Sequence, residues 1–125
     1  MKTYYLSEDK ELLTIETENR KIVVEGDENE VVFSGTSPAI LITGDENELI
    51  FNDEVRVIKV EGDGNELIFS KDYTSIHIDG DENDVTLSGI GSSIIVDGDE
   101  NSIKYSRKKR VATRDDGDGN SFTKI

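Results

Sequence analysis

The sequence contains no cysteine and no tryptophan, and it has one proline and one histidine among 125 residues. The absence of cysteine excludes disulfides, thiolate nucleophiles and zinc–thiolate centres. No apolar run approaches the length of a membrane span, and the first residues, MKTYYLSEDKELL, lack the apolar segment of a signal peptide. We therefore expect a cytoplasmic protein that does not associate with membranes.

Basic residues are also scarce. The chain has 14 lysines and arginines against 28 aspartates and glutamates, which gives a formal charge of -14. Nucleic acids and anionic membranes repel such a chain, so direct nucleic-acid binding is disfavoured. A charged partner is expected to be a basic protein or a cation.

What the sequence does contain is an 18-residue repeat, visible in segments such as IVVEGDENEVVFSGTSPA and ILITGDENELIFNDEVRV. The period holds from Gly26 to Gly98, and one extra residue then enters before Gly117. Counted from Ile22, repeat positions 1, 3, 10 and 12 are apolar in the regular segments. A spacing of two indicates strands with one face inward, and a short β-rich repeat is typical of a solenoid.

The predicted fold is all-β, a right-handed parallel β-helix (β-solenoid) with 18-residue coils, about six to seven in number. Parallel crossovers are right-handed in the large majority of cases. We expect one domain over residues 1–125, with an N-terminal capping coil (1–21), regular coils (22–112) and a partial C-terminal capping coil (113–125). Charged residues at both ends are expected to block edge-to-edge polymerisation.

The pattern apolar-x-apolar-x-Gly-x-x-Asn-x-apolar, over about residues 22–122, resembles that of small right-handed parallel β-helix repeat proteins of unknown function. The resemblance implies the fold and no activity. Bactofilin-type cytoskeletal β-helices share the short coil but lack the regular Gly-Asp-x-Asn turn, so the resemblance does not imply a filament.

The Gly-Asp-x-Asn turn has a structural explanation for most of its residues. Gly26 and its equivalents are predicted to supply a positive φ at a tight corner. The following aspartate is predicted to accept hydrogen bonds from the N–H groups of its own turn. Asn29 and its equivalents lie two residues before an inward position, so they are predicted to point inward and form an asparagine ladder.

The outward acidic residues of the turn stack into a row that we call the acidic comb. In the fullest turns, three carboxylates per coil rise of about 4.8 Å give one charge per roughly 1.6 Å, close to the one per about 1.7 Å of duplex DNA. We hypothesise a non-enzymatic protein that binds a basic protein surface, as a nucleic-acid mimic that inhibits it. Plain solubility is the other interpretation of the same charges. The acidic comb comprises Asp27, Glu28, Glu30, Asp45, Glu46, Glu48, Asp63, Glu66, Asp81, Glu82, Asp84, Asp99 and Glu100.

The alternative function is a structural or self-assembling β-helix stabilised by cations. Calcium ions between successive coils would be held by the recurring aspartates Asp27, Asp45, Asp63, Asp81 and Asp99. The glycine-rich repeat of calcium β-rolls is absent, however, and the segment DDGDGNSFTKI has Ser121 where an EF-hand loop requires glycine. No dedicated metal site and no cofactor are therefore predicted.

One basic cluster stands out: Arg107, Lys108, Lys109 and Arg110. It is either a solvated loop near the C-terminal cap or a contact with the acidic comb of a second molecule. The second interpretation predicts a homodimer or an end-to-end assembly.

Enzymatic activity is not predicted. His77, the only histidine, alternates with inward isoleucines and is expected to be an exposed strand residue, so no Ser-His-Asp set can be built on it. Polysaccharide-cleaving β-helices use paired carboxylates, but the loops here are too short to form a cleft. The variable corner of the coil, opposite the turn, is where a specific partner would be recognised, through Val55, Tyr73 and Ile90.

Overall fold

The computed structural model describes residues 3–125, which form parallel β-strands wound into about seven coils. Within residues 3–125 there is no helix, and hence none that is long and apolar enough to cross a membrane. The strands are β1 (Thr3–Leu6), β2 (Leu12–Glu16), β3 (Lys21–Val24), β4 (Glu30–Ser34), β5 (Ser37–Ile42), β6 (Glu48–Phe51), β7 (Val55–Val60), β8 (Glu66–Phe69), β9 (Tyr73–Ile78), β10 (Asp84–Leu87), β11 (Ser93–Val96), β12 (Ser102–Tyr105), β13 (Ala112–Asp115) and β14 (Ser121–Lys124).

Each coil contributes one strand to each of two seven-stranded sheets. The odd-numbered strands form the first sheet and the even-numbered strands the second, and neighbouring strands are parallel. Residues 18 apart pair directly, for example Ile40 with Ile22, and the extra residue of the sixth coil makes Ile94 pair with Thr113. The predicted parallel β-solenoid with 18-residue coils is confirmed. Its right-handed winding stays a prediction from the crossover rule.

The core is a narrow stack of side-chain columns between the two sheets. Four apolar inward columns, supplemented by Val55 and Tyr73, make up most of the core, which explains how a chain with 34% apolar residues can bury a continuous core. On the second sheet, Phe33, Phe51 and Phe69 are stacked with ring centroids 4.7 Å apart and interplanar angles of 3°. This separation matches the usual spacing of about 4.7–4.9 Å between neighbouring strands.

The two ends of the stack differ in how much apolar surface they contribute. At the start, Leu6 pairs with Val24, Ile15 pairs with Phe33, and both Leu6 and Ile15 are buried. In the last coil three of the four inward columns end in the exposed polar residues Thr113, Asp115 and Lys124, and the fourth ends in the partly buried Phe122. The Asp115 carboxylate accepts hydrogen bonds from the Gly117 N–H and the Asn120 side-chain amide. The division of the chain into capping and regular coils stays a prediction.

Candidate functional site

The repeated corner of each coil, from the glycine to the asparagine, is shaped by the coil stacked before it. A Cβ atom built on Gly62 would lie 1.8 Å from the Gly44 carbonyl oxygen, and Gly44, Gly80 and Gly98 meet the same obstacle at 1.8–1.9 Å. The predicted positive φ at these glycines is wrong, because none of them has one. Glycine is required here because two backbones touch. In the first coil the position is Glu8, and within residues 3–125 no coil precedes it.

The left-handed backbone conformation instead falls two residues after the glycine. Gly64 and Gly119 occupy this position with φ of 67° and 70°. Four glutamates occupy it with φ between 56° and 57°: Glu28, Glu46, Glu82 and Glu100. A side chain in this region costs roughly 1–2 kcal/mol per residue, a cost that glycine avoids. The backbone therefore disfavours glutamate at this position.

The predicted asparagine ladder is confirmed. Asn47 accepts a hydrogen bond from the Asn29 N–H at 2.9 Å, and its amide donates to the Gly26 carbonyl at 2.9 Å and to the Asn65 side-chain oxygen at 3.2 Å. The five asparagines from Asn29 to Asn101 are at most 1% exposed. Within residues 3–125 every buried side-chain nitrogen and oxygen has a hydrogen-bond partner. The ladder therefore satisfies the polar groups at the bend that burial would otherwise destabilise.

The aspartate after the glycine forms a second ladder. Asp45 Oδ1 accepts a hydrogen bond from the Asp63 N–H at 2.8 Å, and Asp27 Oδ1 accepts one from the Asp45 N–H in the same way. The prediction that this side chain binds N–H groups of its own turn is wrong, because donor and acceptor lie in adjacent coils. One carboxylate oxygen of each aspartate thus has a structural role, although the residues remain exposed.

The structure brings the predicted acidic comb together along one edge of the solenoid, as three columns of exposed residues. One column is the aspartate ladder, and the second is the left-handed glutamates. In the third, Glu30, Glu48, Glu66 and Asp84 pair directly across β4, β6, β8 and β10. With a strand spacing of about 4.8 Å per coil, the thirteen carboxylates over five coils average about one per 1.8 Å of axis.

The acidic comb has one gap, at Gly64, where the column of left-handed glutamates lacks a side chain. The depression there has a volume of about 280 Å³ and is lined by Gly64 together with four carboxylate residues, Asp45, Glu46, Asp63 and Glu82. It concentrates negative charge around a space large enough for the end of a long side chain.

The calcium alternative assigned one ion to the space between successive aspartates. At Asp27, Asp45, Asp63, Asp81 and Asp99, Oδ1 already accepts an N–H from the following coil. An ion would have to be held by the second oxygen of each carboxylate and by the glutamates. The calcium alternative stays a prediction.

The predicted basic cluster, Arg107 to Arg110, is exposed in the loop between β12 and β13. The Arg107 guanidinium donates to the Lys124 carbonyl at 3.3 Å, and its backbone N–H donates to the Ile125 carbonyl. A depression of about 540 Å³ beside the loop is lined by Arg107, Lys109, Arg110 and Lys124 among others. Within residues 3–125 none of these four side chains lies within 4.0 Å of a carboxylate. The acidic comb and this cluster are therefore separate surfaces of opposite charge.

The variable corner exposes one of the three predicted recognition residues, Ile90. Val55 is 2% exposed and Tyr73 is 7% exposed, so both belong to the core, and only Ile90 is exposed. Burial raises the pKa of Tyr73 to about 12, with a further contribution from Tyr105. The prediction that Val55 and Tyr73 contact a partner is wrong, because this corner turns one residue of each coil inward.

A group of side chains on the first sheet was missed from the sequence. His77 Nε2 lies 2.5 Å from Asp97 Oδ2 and 3.0 Å from Asp79 Oδ1, and all three residues are partly or fully accessible. The hydrogen bond from His77 is the largest influence on the Asp97 carboxyl and lowers its pKa, against a smaller desolvation effect. Aligning the coils would have found the group, since Asp79 and Asp97 share a repeat position and His77 stands two residues earlier.

Part of the chain matches a model of a known family. Residues 60–119 are similar to a family described as "Protein of unknown function (DUF3060)". The matched segment includes three complete repeated corners, which begin at Gly62, Gly80 and Gly98, most of the corner at Gly117, and the His77 group. Neither the curated proteins nor the solved structures give a significant match.

Proposed function

We propose that the protein is a non-enzymatic β-solenoid whose acidic comb binds a basic protein surface as a mimic of nucleic acid. The observation that carries the proposal is the charge spacing along one edge of the solenoid. The acidic comb averages about one carboxylate per 1.8 Å, against one phosphate charge per about 1.7 Å of duplex DNA. A protein groove that recognises DNA by its charge density would meet a similar density here.

The rigidity of the acidic comb supports the proposal. The aspartate and asparagine ladders tie each corner to the next coil, so the carboxylates are held in place before a partner arrives. A preorganised surface loses less conformational entropy on binding than a flexible acidic tail.

The cost of the charges is a second support. Glu30, Glu48 and Glu66 are direct neighbours in a parallel sheet, where like charges repel. Glu46 and its equivalents occupy a backbone conformation that favours glycine. Solubility alone could be obtained from charges at positions without either penalty.

The depression at Gly64 gives the partner a defined anchor. Four carboxylate residues line it, and a lysine or arginine side chain entering it would form charge-assisted hydrogen bonds. Arginine is the better fit, because its planar group binds two carboxylate oxygens at once.

The experiment compares two triple variants as bait for proteins from an extract of the native host. Glu46→Gln, Glu48→Gln and Glu82→Gln remove charge from the acidic comb around the depression. Glu16→Gln, Glu18→Gln and Glu54→Gln remove the same charge from exposed residues elsewhere, and Glu18 has a similar left-handed φ of 52°. We expect nucleic-acid-binding proteins to be retained by the wild type and the second variant, and to be released by added duplex DNA. Equal losses for both variants, or retention that DNA does not reduce, would contradict the proposal.

The second candidate function is self-assembly, and one specific observation favours it. The basic cluster has no carboxylate within 4.0 Å in residues 3–125, and the acidic comb of a second molecule offers many. Sedimentation of the wild type and of a variant with Arg107, Lys108, Lys109 and Arg110 all changed to Gln tests it. Assembly that disappears in the variant and at high salt supports it, and a monomer at all concentrations argues against it. Added millimolar Ca²⁺ in a melting experiment tests the cation-stabilised version.

A further inference from the structure

We propose that His77, Asp79 and Asp97 form a binding site for one divalent first-row transition-metal ion, with Zn²⁺ as the probe. The site is independent of the acidic comb, and none of its three residues belongs to it. It joins one imidazole and two carboxylates on the outer face of the first sheet.

The fold brings the three side chains together by two simple relations. His77 is outward on β9, and Asp79 follows two residues later, on the same face of an extended chain. Asp97 stands 18 residues after Asp79, so the parallel ladder places it beside Asp79 in the next coil. Their ligand atoms all lie within 4.8 Å of one another.

The distances suit a shared ion. In a tetrahedral site with bonds of about 2.0–2.1 Å, ligand atoms are roughly 3.3 Å apart. The His77–Asp79 separation is 3.0 Å and the His77–Asp97 separation is 2.5 Å. Small side-chain rotations would therefore let a metal ion bind where the His77 Nε2–H group now lies between the Asp79 and Asp97 carboxylates.

The acidic residues Glu61, Asp79, Asp97 and Asp116 occupy the same position in successive coils and form a column. Charge pairing explains why Asp79 and Asp97 differ from the other two. Lys59 lies 3.8 Å from Glu61, and Arg114 lies 2.7 Å from Asp116, so those acids have a cation two residues before them. The residue two before Asp97 is Ile95, so Asp97 shares His77 with Asp79. The nearest lysine, Lys59, is 3.7 Å from Asp79. Two carboxylates and one imidazole are left with an excess of negative charge that a divalent ion would neutralise.

The imidazole nitrogen decides the class of metal. Calcium and magnesium prefer oxygen ligands, whereas zinc, cobalt and nickel accept imidazole together with carboxylates. Within residues 3–125 this is the one group in which a histidine joins two acids, so we expect one high-affinity equivalent per chain.

The experiment uses the full chain without an affinity tag, titrated with Zn²⁺ by calorimetry and followed by NMR. Because the chain has one histidine, its ring resonances report on the site without ambiguity. The variants are His77→Gln and Asp97→Asn, with Glu61→Gln as the control that removes one charge from the same column. Loss of a ligand should weaken binding at least as much as loss of an outer-shell partner, roughly 10- to 100-fold. Ca²⁺ serves as the control ion.

We expect one Zn²⁺ equivalent that shifts the His77 ring resonances, is lost in both ligand variants, persists in Glu61→Gln and is not displaced by equimolar Ca²⁺. Lys59→Gln should tighten binding, because it removes a competing cation beside Asp79. Wild-type affinity in His77→Gln, or ring resonances unmoved by saturating Zn²⁺, would overturn the proposal and assign the binding to the acidic comb. Absence of Zn²⁺ binding would overturn it as well.

Discussion

The repeated corner and the variable corner of each coil both reverse the chain direction, but different contacts hold them in place. At the repeated corner each coil meets the backbone of the coil before it, so the same residues recur at the same positions. At the variable corner the inward position is Ser37, Val55, Tyr73 and Gly91 in successive coils, and each fits the side chains of its neighbours. Contacts between backbones demand one residue type, whereas contacts between side chains allow exchange. Substitutions can test this difference directly.

The largest effect is expected from Gly62→Ala at the repeated corner. The added Cβ would lie 1.8 Å from the backbone of Gly44, which no side-chain rotation can relieve. We expect a loss of about 4 kcal/mol or more, at the upper end for single substitutions, measured by urea unfolding. Glu8→Ala is the control, since Glu8 holds the equivalent position with no coil before it in residues 3–125. A loss below that of an ordinary surface change would show that the stack can open by a small shift.

The second effect is a pH dependence confined to the variable corner. Burial raises the pKa of Tyr73 from 10.0 to about 12, so the folded state favours the neutral phenol. The contribution of Tyr73 to the free energy of unfolding is fully present below pH 10. It is lost as the pH rises to about 12, because in that window the Tyr73 phenol ionises in the unfolded chain but not in the folded one. A shift of about two pKa units corresponds to a loss on the order of 3 kcal/mol. The measurement is the difference in unfolding free energy between wild type and Tyr73→Phe across that window. A difference that does not change with pH would contradict it.

The third effect is Gly91→Ala, the variable-corner counterpart of the first. A Cβ here would lie 2.0 Å from the ring of Tyr73, a side chain and not a backbone. We expect a loss of about 1–3 kcal/mol from overpacking. In a Tyr73→Val background, which copies Val55 of the preceding coil, the same change should be nearly neutral. A double-mutant cycle measures this coupling, and additive losses would place the obstacle in the backbone at both corners.

The same contrast explains which features could be predicted from the sequence. The solenoid, its two sheets and the asparagine ladder follow from a period of 18 and an alternation of two, which are properties of one coil repeated. The reason for Gly44 and the partner of Asp45 were predicted wrongly, because neither the close approach of two backbones nor the choice of N–H donor follows from the spacing of inward positions. Val55 and Tyr73 were assigned to the surface because the variable corner has no recurring residue type that would mark an inward column. The His77 group was missed because it combines two coils and appears once.

The smallest effect on stability is expected from Glu46→Gly, a substitution that also tests the binding function of the acidic comb. The left-handed φ of 56° at Glu46 costs roughly 1–2 kcal/mol. Glycine avoids this cost, but its unfolded state is more flexible, which reduces the gain in folding free energy by about 0.5–1 kcal/mol. We therefore expect a stabilisation of about 0.5–1 kcal/mol in urea unfolding, and Gly64→Glu, at the same position of the next coil, should lose a similar amount.

Glu46→Gly also removes a carboxylate from the edge of the depression at Gly64. If the acidic comb binds a basic partner, this variant should be more stable and bind that partner more weakly, while Gly64→Glu fills the depression and also weakens binding. A variant that gains stability with no loss of binding would mean that Glu46 contributes only solubility. Unchanged stability would mean that the corner holds its left-handed residue without strain. The four glutamates of this column are thus the place where stability and a binding function can be measured against each other in single substitutions.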